Sequence, residues 1–174
     1  MTQNEYFPGH VLVPHFTENA SIVGVEIGVM SGVGSLGMLS KLPNLKLYCV
    51  DPWKHCPGEE FEAGMPQEVL DENYDIAKER IGRFPDRGFI VKKRSDDALD
   101  DVPDNLDFVF IDGHHRYEQV KRDISNYFKK VKKGGIIAGH DYGQVPEVTQ
   151  AVDEFFAASY TIHKGEDFVW WVNL

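Results

Sequence analysis

Five short apolar runs, rich in β-branched residues, mark strand candidates: SIVGVEIG (21–28), LKLYCVD (45–51), GFIVKK (88–93), LDFVFID (106–112) and GGIIAGHD (134–141). All but the third are nearly continuous, as expected of strands buried on both faces of a parallel sheet. Helical patterns lie between them: 31–42, 66–84, 117–131 and 146–158. The third of these puts Val120, Ile124, Tyr127, Phe128 and Val131 on one stripe, the mark of an amphipathic helix. The fourth opens with Pro146, tolerated in a first helical turn. Strand alternating with helix predicts an α/β, Rossmann-like, doubly wound sheet. The tail differs. YTIH (160–163), the turn residues KGED and FVWWVN (168–173) read as an antiparallel hairpin. The expectation is seven strands, mostly parallel, in one domain over 1–174.

Two segments fit no regular element. Residues 1–20, with Pro8 and Pro14 as breakers, are expected to cover a pocket or cap the sheet. Residues 53–66 are expected to form a loop over the carboxyl ends of the strands, where open α/β sheets bind ligands.

Charge narrows the partners. The formal charge is −10 and the pI about 5.1, which argues against nucleic acid or anionic membrane as a partner. The one basic cluster, KKVKK (129–133), sits where a helix should end and complements its dipole. Cys49 reads as a core thiol and Cys56 as a loop residue; they make neither a disulfide framework nor a zinc spacing. No run approaches the roughly 20 apolar residues of a membrane span. A cytoplasmic protein is the expectation.

The chemistry gathers at strand ends. DFVFIDGHHRYEQV (107–120) passes from apolar strand into Asp112, Gly113, His114 and His115, and GGIIAGHDY (134–142) into Gly139, His140 and Asp141. Neighbouring strands ending this way would share a polar pocket. The first strand runs into EIGVMSGVGSLG (26–37), where glycine permits a sharp turn and a close ligand approach. Two registers fit. GVGSLG (32–37) matches a dinucleotide fingerprint with Asp51 at ribose distance, but starts late after the strand. Glu26, Gly28 and Gly32 instead make an acid-x-Gly-x-x-x-Gly loop for a nucleoside without pyrophosphate.

An ordered set of segments carries a specific likeness: VGVEIGVMSGVGS, LYCVDPW, RSDDAL, FIDGHHRYEQVKRDISNYFKKVKKGGIIAGHDY and VTQAVDEFF. Over roughly residues 21–156 the chain resembles class I S-adenosylmethionine-dependent methyltransferases. More narrowly it is similar to a small sugar- or macrolide-type O-methyltransferase family with an Ile-Asp-Gly-x-His-x-Tyr signature. The resemblance implies Glu26, Gly28 and Gly32 around the methionine end of the cofactor, Asp51 on both ribose hydroxyls, and Ser95 and Asp96 at adenine. It implies Trp53 beside adenine or substrate. It also implies a divalent cation at Asp112, His140 and Asp141. Relatives usually carry oxygen ligands there, so His140 departs from the pattern. Two carboxylates suit magnesium, and an added imidazole leans toward manganese, iron or zinc. His115 holds the signature histidine position and is the first choice as base, with His114 and His140 as alternatives; Asp112 joins it as a catalytic residue.

The residues meanwhile keep other readings open: a nicotinamide-dependent oxidoreductase, a metallohydrolase built on the Asp/His cluster, or a module that holds the methyl donor without transfer. His10, His15, His55 and His163 read as surface or core residues, Tyr117 and Asp123 as helix-stabilising, and Asp153 and Glu154 as solvent-facing. The substrate is expected to be a hydroxylated small molecule. The chain has no long N-terminal cap, so a partner subunit completing the pocket, hence a homodimer, is the expectation.

Overall fold

Alternate residues of the central strands feed two separate apolar layers, which is why their sequences read as unbroken hydrophobic runs. The computed structural model describes residues 9–17, 19–56 and 64–174. Residues 1–8 and 18 of the expected cap segment, and 57–63 of the expected loop, lie outside the described residues.

The strands are β1 (Ile22–Ile27), β2 (Leu45–Val50), β3 (Gly88–Val91), β4 (Leu106–Ile111), β5 (Val131–Gly139), β6 (His163–Lys164) and β7 (Trp170–Asn173). The helices are α1 (Val33–Lys41), α2 (Gln67–Gly82), α3 (Tyr117–Phe128) and α4 (Pro146–Phe156). They build one seven-stranded sheet in the order β3-β2-β1-β4-β5-β7-β6. The first five strands pair in parallel, whereas β7 runs antiparallel to β5 and to β6. The expected Rossmann-like sheet with an antiparallel tail is what forms.

In β4, Val109 and Ile111 face one core with Ile124, Tyr127, Val152 and Phe156, while Phe108 and Phe110 face the other with Met38, Leu39 and Ile81. α3 and α4 thus cover one face, α1 and α2 the other. Each fully buried Leu, Ile or Phe side chain contributes about 1.5–3 kcal/mol of transfer free energy.

Several local expectations need correction. Val131 is not the end of α3's stripe. The helix stops at Phe128, and Val131 opens β5 beside Leu106. KKVKK therefore straddles a turn and a strand rather than finishing a helix. The pairing of β4 with β5 then shifts register between Leu106 and Phe108, so Lys132–Gly135 form an irregular stretch of the strand. Lys130 Nζ donates to Val102 O and to Asp104, and Lys132 pairs with Asp107 at 2.6 Å. Pro14 does not break structure: it lies inside a 3₁₀ turn, His10–His15. That turn buries Leu12 in the core beside Met38. The described part of the N-terminal segment caps the sheet and does not line the pocket. The tail hairpin is shorter than expected, only His163 and Lys164 pairing with β7.

Candidate active site

A pocket of about 1080 Å³ runs along the carboxyl edge of the sheet, in the position expected for a ligand of an open α/β fold. Its floor is the turn after β1. Gly28 has φ +84, and a Cβ there would lie 2.0 Å from the Asp112 carbonyl oxygen. Only glycine lets the β1 and β4 ends approach this closely. Gly32, also at positive φ, is the N-cap of α1. Gly34 and Gly37 lie inside that helix, so the late G-x-G-x-x-G match is helical sequence and not a strand-to-helix turn. This removes the geometric basis of the dinucleotide register.

Glu26 closes the floor. It is 2% exposed and accepts a short hydrogen bond from the Ser35 hydroxyl. Burial pushes its carboxyl up to about 8; the Ser35 bond opposes this, and the Asp112 and Asp51 charges add to it.

Asp51 ends β2 and faces the same turn. Its Oδ2 accepts backbone N–H bonds from Val29 and Met30 at 2.9 and 3.0 Å, and Oδ1 accepts one from Trp53 at 2.7 Å. The sequence suggests only a ligand-facing carboxylate. The structure adds that Asp51 stitches the two strand ends together. Met30 and Trp53 sit at φ 51 and 41, a left-handed region that costs non-glycine residues energy, so these three bonds hold a strained loop. The Trp53 indole is 1% exposed, packs on Tyr74 and donates Nε1–H to Met30 O at 2.7 Å. Trp53 is thus the wedge under this loop, its indole walled in by protein.

At the β3 end, Ser95 and Asp96 begin a short 3₁₀ turn, Ser95–Asp97, that α3 holds down. Asp96 Oδ1 accepts from Asn126, and Oδ2 from Gln119 with Arg122 Nε at 3.7 Å. Asp123 accepts from Ser95 and Gln119 on Oδ1, while Oδ2 is buried without a hydrogen-bond partner. Burial raises its carboxyl to about 6, against the opposing Ser95 and Gln119 bonds. Asp123 is on the pocket wall and 1% exposed, a position that the helical periodicity does not reveal.

The two acid-and-histidine clusters do meet. Asp112, His115 and Asp141 can each offer a ligand atom within 4.8 Å of the others. His115 Nε2 lies 2.8 Å from Asp141 Oδ2. His140 Nδ1 lies 3.2 Å from Asp141 Oδ1 and 3.7 Å from Asp112 Oδ1. The tightest trio thus contains His115, with His140 flanking it. The hydrogen bond to Asp141 raises His140 to about 9, against its desolvation, so it is a cation at neutral pH. Burial would raise Asp141, but the bonds from His115 and His140 prevail and hold it below the ordinary carboxylate range. Asp141 itself has φ 66. His114 Nδ1 accepts from the Arg116 backbone.

The remaining candidates are structural. His55 contacts Met65 O, and His15 and His163 pack on Trp171. Tyr117 donates to Glu154, joining α3 to α4. Asp153 is half-buried and accepts from the Tyr142 hydroxyl at 2.6 Å, so it does not simply face solvent. Among the described residues no helix is long and apolar enough to cross a membrane.

Comparison with known proteins agrees with this geometry. A family described as a methyltransferase domain matches residues 25–142. An uncharacterised protein of Acanthamoeba polyphaga mimivirus is 30% identical over 157 residues, covering 86% of this chain and 67% of that one. An O-methyltransferase from Bacillus cereus, solved in complex with SAH, superposes with a TM-score of 0.64 at 18% identity, over 94% of this chain and 78% of that one. An rRNA methylase from Streptococcus thermophilus gives 0.65 at 11% identity, over 97% and 95%. Neighbours this varied share the fold and do not name an acceptor.

Proposed function

The chain belongs to the methyltransferase-domain family and is an enzyme of that kind, S-adenosylmethionine-dependent; from that premise we propose that residues 1–174 form one domain that methylates an oxygen of a hydroxylated small molecule, such as a sugar. The observation that carries the reading is the His115–Asp141 pair, 2.8 Å apart at the end of the pocket opposite Ser95.

The bound cofactor supplies an activated methyl group on a sulfonium. The protein must align an acceptor oxygen with it and remove that oxygen's proton. Asp141, an acceptor only, fixes the Nε2–H tautomer of His115 and leaves Nδ1 as the basic atom. His115 takes the hydroxyl proton, and Asp141 stabilises the resulting imidazolium. Gly28 and Gly32 let the cofactor's methionine end lie against the loop, with Glu26 beneath it. Asp51 borders the ribose and, with Trp53 beneath, holds that loop. Ser95 stands at the adenine end, and Asp96, bonded to Gln119 and Asn126 of α3, holds that turn in place. The charge of −10 favours a small acceptor over nucleic acid.

A divalent cation fits the donor set: two carboxylates, Asp112 and Asp141, and an imidazole from His115 or His140. It would lower the pKa of the acceptor hydroxyl.

The test is a thermal-shift and transfer assay. S-adenosylmethionine and its demethylated product should raise Tm, since each binds only the native state, and NAD should not. Radiolabelled methyl should pass to sugars or other polyols and not to amines. Tight NAD binding with no response to the methyl donor would sink the reading.

A further inference from the structure

One parallel crossover of the sheet has no α-helix. α1, α2 and α3 each link one parallel strand to the next, but β3 passes to β4 through residues 92–105, whose only helical element is the 3₁₀ turn Ser95–Asp97. Parallel sheets are normally covered on both faces. On one face α1 and α2 supply Leu39, Ala77 and Ile81 to the layer that holds Leu45, Leu47 and Cys49. On the other, α3 lies against β4 and β5, and the crossover adds Ala98 and Val102 to the core of Val25 and Val50. Farther out this face is thinly covered. Val23, Tyr48 and Val91 are only half-buried. Phe89 joins neither apolar layer, its ring leaning on Tyr48 with 5.0 Å between centroids. Val23 stands opposite Lys46, and Tyr48 opposite Phe89, so these side chains make one patch across β1, β2 and β3. None of them lines the pocket.

The charges around the patch say what covers it. β3 is four residues long and runs into Lys92 and Lys93, features that keep an edge strand from extending another sheet, so the patch is covered face-on. Lys46 is exposed on it and has no side-chain partner among the described residues. On the crossover, Lys93 pairs with Asp101 and Lys130 with Asp104. Asp97 and Asp100, both exposed, have no side-chain partner among the described residues. A basic partner would answer these acids and repel Lys46, and an acidic partner would do the reverse. A second copy related by a two-fold axis answers both, because an isologous contact sets each protomer's cation against the other's acids.

We propose that the protein is a homodimer joined through this face, with Tyr48 and Phe89 at the centre of the contact and Lys46 of each protomer against Asp97 and Asp100 of the other. The aromatic pair supplies the apolar area, and the charges fix the partner and its orientation. Each pocket stays whole within one protomer and open at the carboxyl edge, so the contact forms whatever the pocket holds.

Sedimentation velocity and light scattering on the full chain test the contact. At about 100 μM, above the dissociation constant of a small specific interface, the wild type should run at twice the 19.8 kDa of one chain. Lys46→Glu should weaken the dimer by about tenfold or more, since one change turns two symmetric attractions into repulsions. Asp97→Lys with Asp100→Lys should do the same. All three changes together reverse every charge and should restore association to within about threefold of the wild type. Phe89→Ser should leave only monomer. The charge variants alter exposed side chains, so they decide the matter even where Phe89→Ser fails to melt cooperatively. A monomeric wild type at that concentration overturns the inference. So does a dimer that Lys46→Glu or a folded Phe89→Ser leaves intact, or a triple variant that does not reassociate.

Discussion

His115 Nε2 lies 2.8 Å from Asp141 Oδ2, an ion-pair geometry made by two residues from the ends of adjacent strands. Both side chains are mostly buried, at 13% and 11% exposure. A hydrogen bond at this depth is stronger than in water and fixes both the tautomer and the ring orientation. The other Asp141 oxygen faces His140, so one carboxylate is shared by two imidazoles.

His115→Ala removes the proposed proton acceptor while leaving the glycine loop, Asp51 and the Ser95 wall in place. Transfer should slow by about 10²–10⁴-fold. Affinity for S-adenosyl-L-homocysteine should stay within about twofold, since a change this small is under about 0.5 kcal/mol. Single-turnover rates beside calorimetry check both halves. A rate within threefold of wild type would reduce His115 to a loop support.

Asp51→Ala is expected to damage the empty enzyme as well as cofactor binding. Three backbone N–H groups, on Val29, Met30 and Trp53, lose one charged acceptor. Two of them belong to residues at positive φ. Unfolding free energy in the absence of ligand should fall by about 2 kcal/mol or more. A purely ligand-facing Asp51 would leave it unchanged, so urea melts without cofactor separate the two roles.

Glu26 makes stability depend on pH. Its carboxyl rises from 4.5 to about 8 on folding, chiefly by burial. Between those values the native state holds a proton that the unfolded chain has released. Stability therefore falls as pH rises through that window and levels off above it. Glu26→Gln keeps an acceptor for Ser35 and cannot ionise. Wild type and variant should be closest in stability near pH 5, and the variant should be more stable at pH 8.5. Parallel melting curves at every pH would show that Glu26 does not titrate in this range.

How much of this was legible in the chain follows from what patterns encode. β4 and β5 announce themselves because both faces of each strand are apolar, and their polar ends announce the pocket edge. The tail hairpin is visible from its turn residues. Asp123 is not visible, because a polar residue in an amphipathic helix defaults to solvent, and only the docking of the Ser95 turn onto α3 buries it. The three backbone bonds of Asp51 are equally hidden, since they depend on the left-handed turns at Met30 and Trp53. The choice between His115 and His140 in the acid cluster is a matter of side-chain direction, which spacing does not carry. The apolar stripe overruns the end of α3 because Val131 fits the helical spacing by number while its backbone pairs with Leu106.

Asp141→Asn decides what the acid cluster holds. The substitution keeps size and tolerates the left-handed backbone at φ 66, a region asparagine enters readily. It removes the charge shared by His115 and His140. If Asp112 and Asp141, with one of the two imidazoles, bind a divalent cation, magnesium, manganese or zinc titrated into the wild type should bind, and binding should fall by tenfold or more in the variant, about 1.4 kcal/mol. Affinity for S-adenosyl-L-homocysteine should survive, because the glycine loop and the Ser95 wall lie toward the other end of the pocket. The pH dependence then names the nitrogen ligand. His140 is raised to about 9, so a cation ligated through it must displace a proton throughout the neutral range, and metal affinity should climb steadily from pH 6 to 9. His140→Gln should flatten that climb. A climb that persists in His140→Gln and vanishes in His115→Gln assigns the ligand to His115, which would then not be the proton acceptor. Equal metal affinity in wild type and Asp141→Asn would remove the cation from this cluster and leave proton transfer to the His115–Asp141 pair alone.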